Sequence, residues 1–496
     1  MLSIKPIESL CPICLKQISA ELVRIDGKVF IRKNCSEHGS FEDIYYGDAD
    51  LYSRFMRHFE SGISRAGHSA EKNENCPYEC GLCNYHKTST VLANIDITNA
   101  CNYTCPTCFA DTATGRTVFN PSIHQISGMM DTLRQQSPPC GVIQFSGGEP
   151  TIRKDFFKIA ELAREKGFNH IQVATNGRKL SEDPEYPKKL LQADVTTVYL
   201  QFDGVTPEPY LALRGFNALP EKLKALENLK HHGSLPNAVL VPTLVKGLND
   251  HQLGDIVRFA SENMEVVRGV NFQPVSFTGR ISRDELLNKR ITISDVIKSL
   301  EEQLDGQITS DDFLPIPVFA PLFELLRKND GTDEYPYLNT HPACGGWTYL
   351  FKDGKKLVPL NRLINAEAVF DLIATLRTVS KTEVLSKLAT QLPKLIRVGT
   401  VIHSRKILGL LKTIILKGSY QAASDFHDKS VLFVGSMHFM DPYNFDLERC
   451  ERCCIHYVTP DNKIIPFCSY NTIHRERYLE KYARKGVPRM IDAAAS

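Results

Sequence analysis

Cys101-Asn-Tyr-Thr-Cys105-Pro-Thr-Cys108 decides the reading of this chain. Three thiols in one short loop can hold three corners of a four-iron cluster and leave the fourth iron open to another ligand. The triplet directly follows Ala93-Asn-Ile-Asp-Ile-Thr98, and the next apolar run ends in Phe145-Ser-Gly-Gly-Glu-Pro150. Glycines let backbone groups approach closely there, and a carboxylate accepts from an amino group. Working outward, strands are expected at Ala93–Thr98, Gly141–Phe145, His170–Ala174, Thr196–Gln201, Asn237–Pro242 and Val270–Pro274, alternating with helical patterns. Six such units are too few to close an eight-stranded barrel. The rhythm therefore predicts an α/β fold, a partial (β/α)6 barrel over residues 91–300, with its site at the strand C-termini.

Spacing alone names two candidates, because Cys76-x3-Cys80-x2-Cys83 repeats the pattern upstream. Context separates them: the Cys101 triplet has a strand before it, Phe109 behind it and Gly147-Gly148-Glu149 at the next strand end. This combination resembles the radical S-adenosylmethionine (SAM) superfamily. The resemblance implies a catalytic [4Fe-4S] cluster on Cys101, Cys105 and Cys108 whose open iron takes the amino and carboxylate end of SAM. Reductive cleavage then gives a 5′-deoxyadenosyl radical that abstracts hydrogen from unactivated carbon. Gly147, Gly148 and Glu149 are expected to receive the methionyl amine. Asn176, in Ala-Thr-Asn-Gly after the third strand, and Gln201 or Asp203, after the fourth, sit where side chains reach a ribose. An electron donor such as a ferredoxin is implied.

The remaining cysteines fall into groups. Cys11-x2-Cys14 and Cys35-x2-His38 have the ligand-pair spacing of a zinc ribbon or rubredoxin-like knuckle, holding one mononuclear zinc or iron, in a module over residues 1–60. A polar linker with the Cys76 triplet spans 61–90. Cys344, Cys450, Cys453, Cys454 and Cys468 lie in a C-terminal region over 301–496, read as helical and as an auxiliary-cluster domain. With Cys76, Cys80 and Cys83 they make eight thiols, enough for two auxiliary [4Fe-4S] clusters.

Charge and hydropathy narrow the function classes. With 59 basic and 57 acidic residues the whole molecule has no field that would gather nucleic acid. No apolar run approaches the roughly 20 residues of a spanning helix, and the N-terminus lacks a secretory pattern, so a cytoplasmic protein is expected. Asn361 to Ser430 carries eleven Lys or Arg against five Asp or Glu. That stretch reads as the solvated face of a helical insert, or as a basic surface in peripheral contact with the inner membrane face.

Longer segments carry a closer resemblance. Cys35-Ser-Glu-His-Gly39, Cys80-Gly-Leu-Cys83, Tyr199-Leu-Gln-Phe-Asp-Gly-Val-Thr-Pro-Glu-Pro-Tyr210, Asn271-Phe-Gln-Pro-Val-Ser-Phe-Thr-Gly-Arg280, His341-Pro-Ala-Cys344 and His438-Phe-Met-Asp441 resemble the archaeal tetraether lipid synthase family. That resemblance implies a lipid substrate and carbon–carbon coupling of two unactivated sp3 termini of isoprenoid diether chains, with two SAM molecules spent per bond. Two other readings stand beside it: a radical SAM enzyme methylating or oxidising a pterin or peptide, and a non-catalytic iron–sulfur electron carrier. The pocket discriminates, since a lipid enzyme needs an apolar tunnel and a pterin enzyme a small polar pocket with paired donors and acceptors.

Overall fold

The computed structural model describes residues 2–59, 76–83, 85–112, 118–232, 236–281, 289–330, 335–376, 383, 386–387, 390–397 and 431–483. The linker 61–75 and most of the basic stretch 361–430 lie outside the described residues.

The N-terminal module is a four-stranded antiparallel sheet, β1 (Leu2–Leu10), β2 (Gln17–Ile25), β3 (Lys28–Cys35) and β4 (Gly39–Tyr46), in chain order. Alternation in β3 buries Val29, Ile31, Lys33 and Cys35 on one face, as a half-buried strand requires. The hairpin of β2 and β3 between the two ligand pairs is the central pair of this sheet, widened by an outer strand on each side.

The core is the expected parallel sheet. Strands β5 (Leu92–Thr98), β6 (Val142–Gly147), β7 (His170–Thr175), β8 (Val195–Gln201), β9 (Asn237–Val241) and, past the two-residue β10 (Thr243–Leu244), β11 (Val267–Pro274) pair in parallel in that order. Each expected strand is present, with ends shifted by at most three residues. Amphipathic helices connect them; Ile123–Arg134, for example, buries Ile126, Met129, Met130 and Leu133 and is closed by a Ser122/Gln125 capping box.

The C-terminal region extends the same sheet at both edges. Beyond β11 lie β15 (Val431–Met437), β13 (Gly345–Asp353) and β12 (Leu314–Pro315), with β14 (Lys356–Pro359) on β13; beyond β5 lie β16 (Ile455–Val458) and β17 (Ile464–Pro466). The chain thus returns to β5, which carries the cysteine loop, with the segment that carries Cys450 to Cys468. Helical patterning alone hid these strands, because β13 and β15 are apolar on both faces and have no alternation to read.

One feature of the barrel positions the site. Ala93, Ile95, Ile143, Phe145, Ile171, Val173, Val198 and Leu200 form the hydrophobic core beneath the helices. Their alternates on the inner side are polar: Asn94 pairs with Gln144 and Gln144 with Gln172 across adjacent strands. A barrel filled for packing alone carries branched apolar residues there.

Candidate active site

The inner face opens on a cavity of about 430 Å³. Cys101, Cys105 and Cys108 line one end with Gly147, Gly148 and Glu149; Phe109, Asn176 and Gln201 also line it. Asp203 does not: it is fully buried behind the wall, its carboxylate held by Arg214 at 2.7 Å through both oxygens, with Gln201 donating to it as well.

Two glycines make the end wall possible. Gly147 has φ +124°, and a side chain there would meet the Thr98 carbonyl at 2.0 Å; one at Gly148 would meet the Ala100 carbonyl at 2.0 Å. That closeness lets Gly148 N–H donate to Thr98 O and Glu149 N–H to Ala100 O, each at 2.8 Å. The glycine loop is thereby laced to the residue before Cys101. The Glu149 carboxylate is 1% exposed and accepts from the hydroxyls of Thr151 (2.6 Å) and Thr175 (2.7 Å) and the backbone N–H groups of Thr151 (3.1 Å) and Asn176 (2.7 Å). Burial raises its pKa, and these donors oppose the rise.

The cysteine loop is gripped by three arginines, none of which sequence reasoning had singled out. Arg178 donates to the Asn102 carbonyl (3.1 Å), Arg280 to that of Cys105 (3.0 Å) and Arg214 to that of Thr107 (3.3 Å). Tyr103, between the first two cysteines, bonds Glu221 and accepts from Lys222 at 3.3 Å; Asn102 accepts from the Asn176 amide at 2.7 Å. Burial pulls Lys222 down to about 8 and pushes the Cys101 thiol up to about 12. Asn102 and Tyr103, the spacer residues of the motif, were the one local signal for this grip.

Three further cysteine groups stand apart from the triplet. Cys11, Cys14, Cys35 and His38 bring their ligand atoms within 4.8 Å of one another, with His38 Nδ1 3.7 Å from Cys11 Sγ and 3.5 Å from Cys35 Sγ. Three soft thiols and an imidazole at that separation suit one tetrahedral ion. The Cys80 thiol donates to the Pro77 carbonyl at 3.3 Å, and Cys76 and Cys80 both act on the buried Cys450 to raise its pKa further above what burial does. The half-buried Cys453 has its pKa raised, first by loss of solvent and then by Cys468, Cys454 and Cys344. Cys468 also lines the cavity, with Met440 and Phe467. Cys140, outside all groups, is fully buried and donates to the Val142 carbonyl.

An N-terminal metal-binding sheet joined to a partial barrel with three thiols at the mouth defines the class: the chain is a radical SAM enzyme with an N-terminal zinc ribbon, and SAM with a [4Fe-4S] cluster are its cofactors. The radical SAM superfamily model matches residues 95–260, and that of the HMPTM N-terminal zinc ribbon domain residues 3–47. The chain belongs to the 7,8-dihydro-6-hydroxymethylpterin dimethyltransferase family: it is 48% identical to the enzyme of that description from Methanocaldococcus jannaschii over 485 residues, 96% of this chain and 95% of that one. GTP 3′,8-cyclase of Haemophilus influenzae is 25% identical over 217 residues, 40% of this chain and 61% of its own. Among solved structures, Streptococcus suis SuiB with its precursor peptide SuiA aligns at TM-score 0.36 and 16% identity over 44% of this chain and 46% of that one.

The full-length relative corrects the family read from the motifs. It is a pterin dimethyltransferase and not a tetraether lipid synthase, so the lipid substrate, the carbon–carbon coupling and the tetraether product are withdrawn. The shared motifs misled because they build the cluster and barrel scaffold, and a scaffold does not specify what enters it. No helix among the described residues is long and apolar enough to cross a membrane.

Proposed function

We propose that this chain methylates a reduced pterin, using radical SAM chemistry at the mouth of the barrel. The observation that carries the reading is the near full-length similarity to a 7,8-dihydro-6-hydroxymethylpterin dimethyltransferase. The cavity floor supports it. Asn94, Gln144, Gln172, Tyr199 and Gln273 present amides and a phenol to the cavity. The Gln144 amide donates to Asn94 at 2.9 Å, and Gln273 donates to Tyr199 at 3.4 Å. Asn94 Nδ2, Gln201 Oε1 and the neighbouring Asn271 Oδ1 are buried without partners, so donor and acceptor capacity is left over. The rest of the lining is largely apolar, with Phe109, Ile281, Phe439, Met440 and Phe467, so a flat heterocycle with polar edges and apolar faces fits the cavity.

Cys101, Cys105 and Cys108 hold the catalytic cluster in this reading, which with SAM supplies a carbon radical able to take hydrogen from an unactivated position. The protein orients and encloses. Glu149, fixed by its four donors, accepts the methionyl amine; Asn176 and Gln201 contact the ribose; Phe109 covers the cluster end. Asp203 serves by holding Arg214 against the loop. The ribbon holds zinc on Cys11, Cys14, Cys35 and His38. Of the two auxiliary clusters, one takes Cys76, Cys80, Cys83 and Cys450, and the other Cys344, Cys453, Cys454 and Cys468.

The test is anaerobic incubation of reconstituted enzyme with SAM, a reductant and a reduced hydroxymethylpterin deuterated at its saturated carbons. Pterin-dependent 5′-deoxyadenosine carrying deuterium, with a pterin product heavier by one or two methyl groups, is expected. If the pterin neither stimulates SAM cleavage nor passes label to 5′-deoxyadenosine, the substrate assignment is wrong.

A further inference from the structure

Arg449 sits on the short helix Leu447–Glu451 and is 2% exposed. A buried guanidinium normally pairs with a carboxylate, because an unpaired charge in the interior costs several kcal/mol. Arg449 has none within ion-pair distance among the described residues. Its Nη2 donates to the His438 carbonyl at 2.7 Å, its Nε has no partner, and its Cζ lies 5.5 Å from the Tyr45 ring centre. The N-cap carboxylate of its helix, Asp446, is taken up by the Tyr45 hydroxyl (2.7 Å) and the Glu448 N–H (3.0 Å), and Glu448 and Glu451 on the helix pair with Lys5 (2.7 Å) and Lys87 (2.8 Å). The buried His341 and His438 cannot supply a counter-charge, since an imidazole is neutral or cationic. The segment it holds lies against two of the cysteines: His438 N–H donates to the Cys344 carbonyl at 3.1 Å and Met440 N–H to Cys468 Sγ at 3.3 Å, and both thiols act electrostatically on the guanidinium.

We propose that Arg449 is the fixed counter-ion of the iron–sulfur centre on Cys344, Cys453, Cys454 and Cys468, and that its charge sets that centre's reduction potential. The inference rests on the auxiliary-cluster assignment above. A thiolate-ligated four-iron cluster carries net negative charge that grows by one on reduction, so a buried cation beside it favours the reduced state. Cys468 lines the substrate cavity, which puts the tuned centre against the reaction space. Arg449 is a positioning residue in this sense and touches no substrate.

The experiment is an EPR-monitored redox titration, with iron analysis, of full-length Arg449→Gln and Arg449→Lys proteins. The signal belonging to this centre is identified as the one lost in Cys468→Ala and unmoved by SAM. In Arg449→Gln its reduced-to-oxidised ratio at fixed poise should fall about tenfold, a shift of about 59 mV for a one-electron couple, while Arg449→Lys stays near wild type. Loss of the signal in Arg449→Gln with retention in Arg449→Lys also supports the counter-ion. An unchanged potential in Arg449→Gln, or equal loss of iron in both variants, overturns it in favour of a packing role. If Cys468→Ala removes neither iron nor signal, the centre itself is wrong, a failure separate from that of Arg449.

Discussion

The two triplets, Cys76-x3-Cys80-x2-Cys83 and Cys101-x3-Cys105-x2-Cys108, have one spacing and two environments. The upstream triplet abuts Cys450, and its Pro77 carbonyl accepts from His474 at 2.8 Å. The barrel triplet opens on the cavity, has Glu149 nearby in place of a fourth cysteine, and has three loop carbonyls held by arginines. A spacing fixes which thiols can share a cluster. What meets the fourth corner determines whether that cluster is closed or can bind something else.

The sharpest way to break this contrast is to remove each ligand set. Changing Cys101, Cys105 and Cys108 to Ala should abolish 5′-deoxyadenosine formation. Cys450→Ala should lose iron or alter the spectrum of a centre that SAM does not perturb, with SAM cleavage retained. The opposite pattern would exchange the roles of the two triplets.

A smaller but still large effect is expected at the arginine grip. Arg214→Gln leaves Asp203 buried without its cation, a loss of about 3–5 kcal/mol in stability, read by denaturant unfolding under anaerobic conditions. An equivalent change at the exposed pair Lys224–Glu227 should be nearly silent. If both variants unfold at the wild-type midpoint, the grip contributes nothing.

Gly148→Ala tests the lacing of the glycine loop. A methyl 2.0 Å from the Ala100 carbonyl forces the two loops apart, at about 1–3 kcal/mol. SAM affinity should fall about tenfold or more, equivalent to about 1.4 kcal/mol, measured by isothermal titration. Unchanged affinity would separate SAM binding from this contact.

The smallest effect is a pH dependence. Lys222 has its pKa lowered by burial to about 8 from an ordinary 10.5, so between those values the unfolded chain binds the extra proton. Stability contributed by this group therefore rises as pH goes from about 8 to 10.5 and is lost as pH falls through about 8. The difference in unfolding free energy between wild type and Lys222→Met should grow with pH in that window. A flat difference would mean that Lys222 stays charged beneath Tyr103.

The parts of the fold legible in the sequence were those with local period or local spacing. Strands β5 to β9 and β11 alternate or run apolar between turn signals, and the cysteine pairs of the ribbon are close in the chain. The edge strands β13, β15, β16 and β17 were not legible, because apolar runs of that length do not separate strand from helix. In the candidate site, the triplet and Gly147 to Glu149 could be named, whereas Arg178, Arg214 and Arg280 could not. Each reaches the cysteine loop from far along the chain, and an isolated arginine carries no positional signal. The substrate was the least legible of all: the polar floor needs five residues from different strands, and no one of them differs from an ordinary strand residue until the barrel faces are known.

Arg290 joins three distant stretches of chain. It bonds Asp43 of β4 at 2.7 Å and Asp441 at 2.9 Å, while Lys33 of β3 donates to the Pro442 carbonyl at 2.6 Å and Ser9 to that of Phe445. The ribbon is thus the backing plate for the segment that leads into Arg449 and the cysteines at 450, 453 and 454. On the cluster assignment proposed above, metal captured by the ribbon would steady this plate, and exchanging Cys11 for Ser is expected to lower the iron bound some four hundred residues later in the chain.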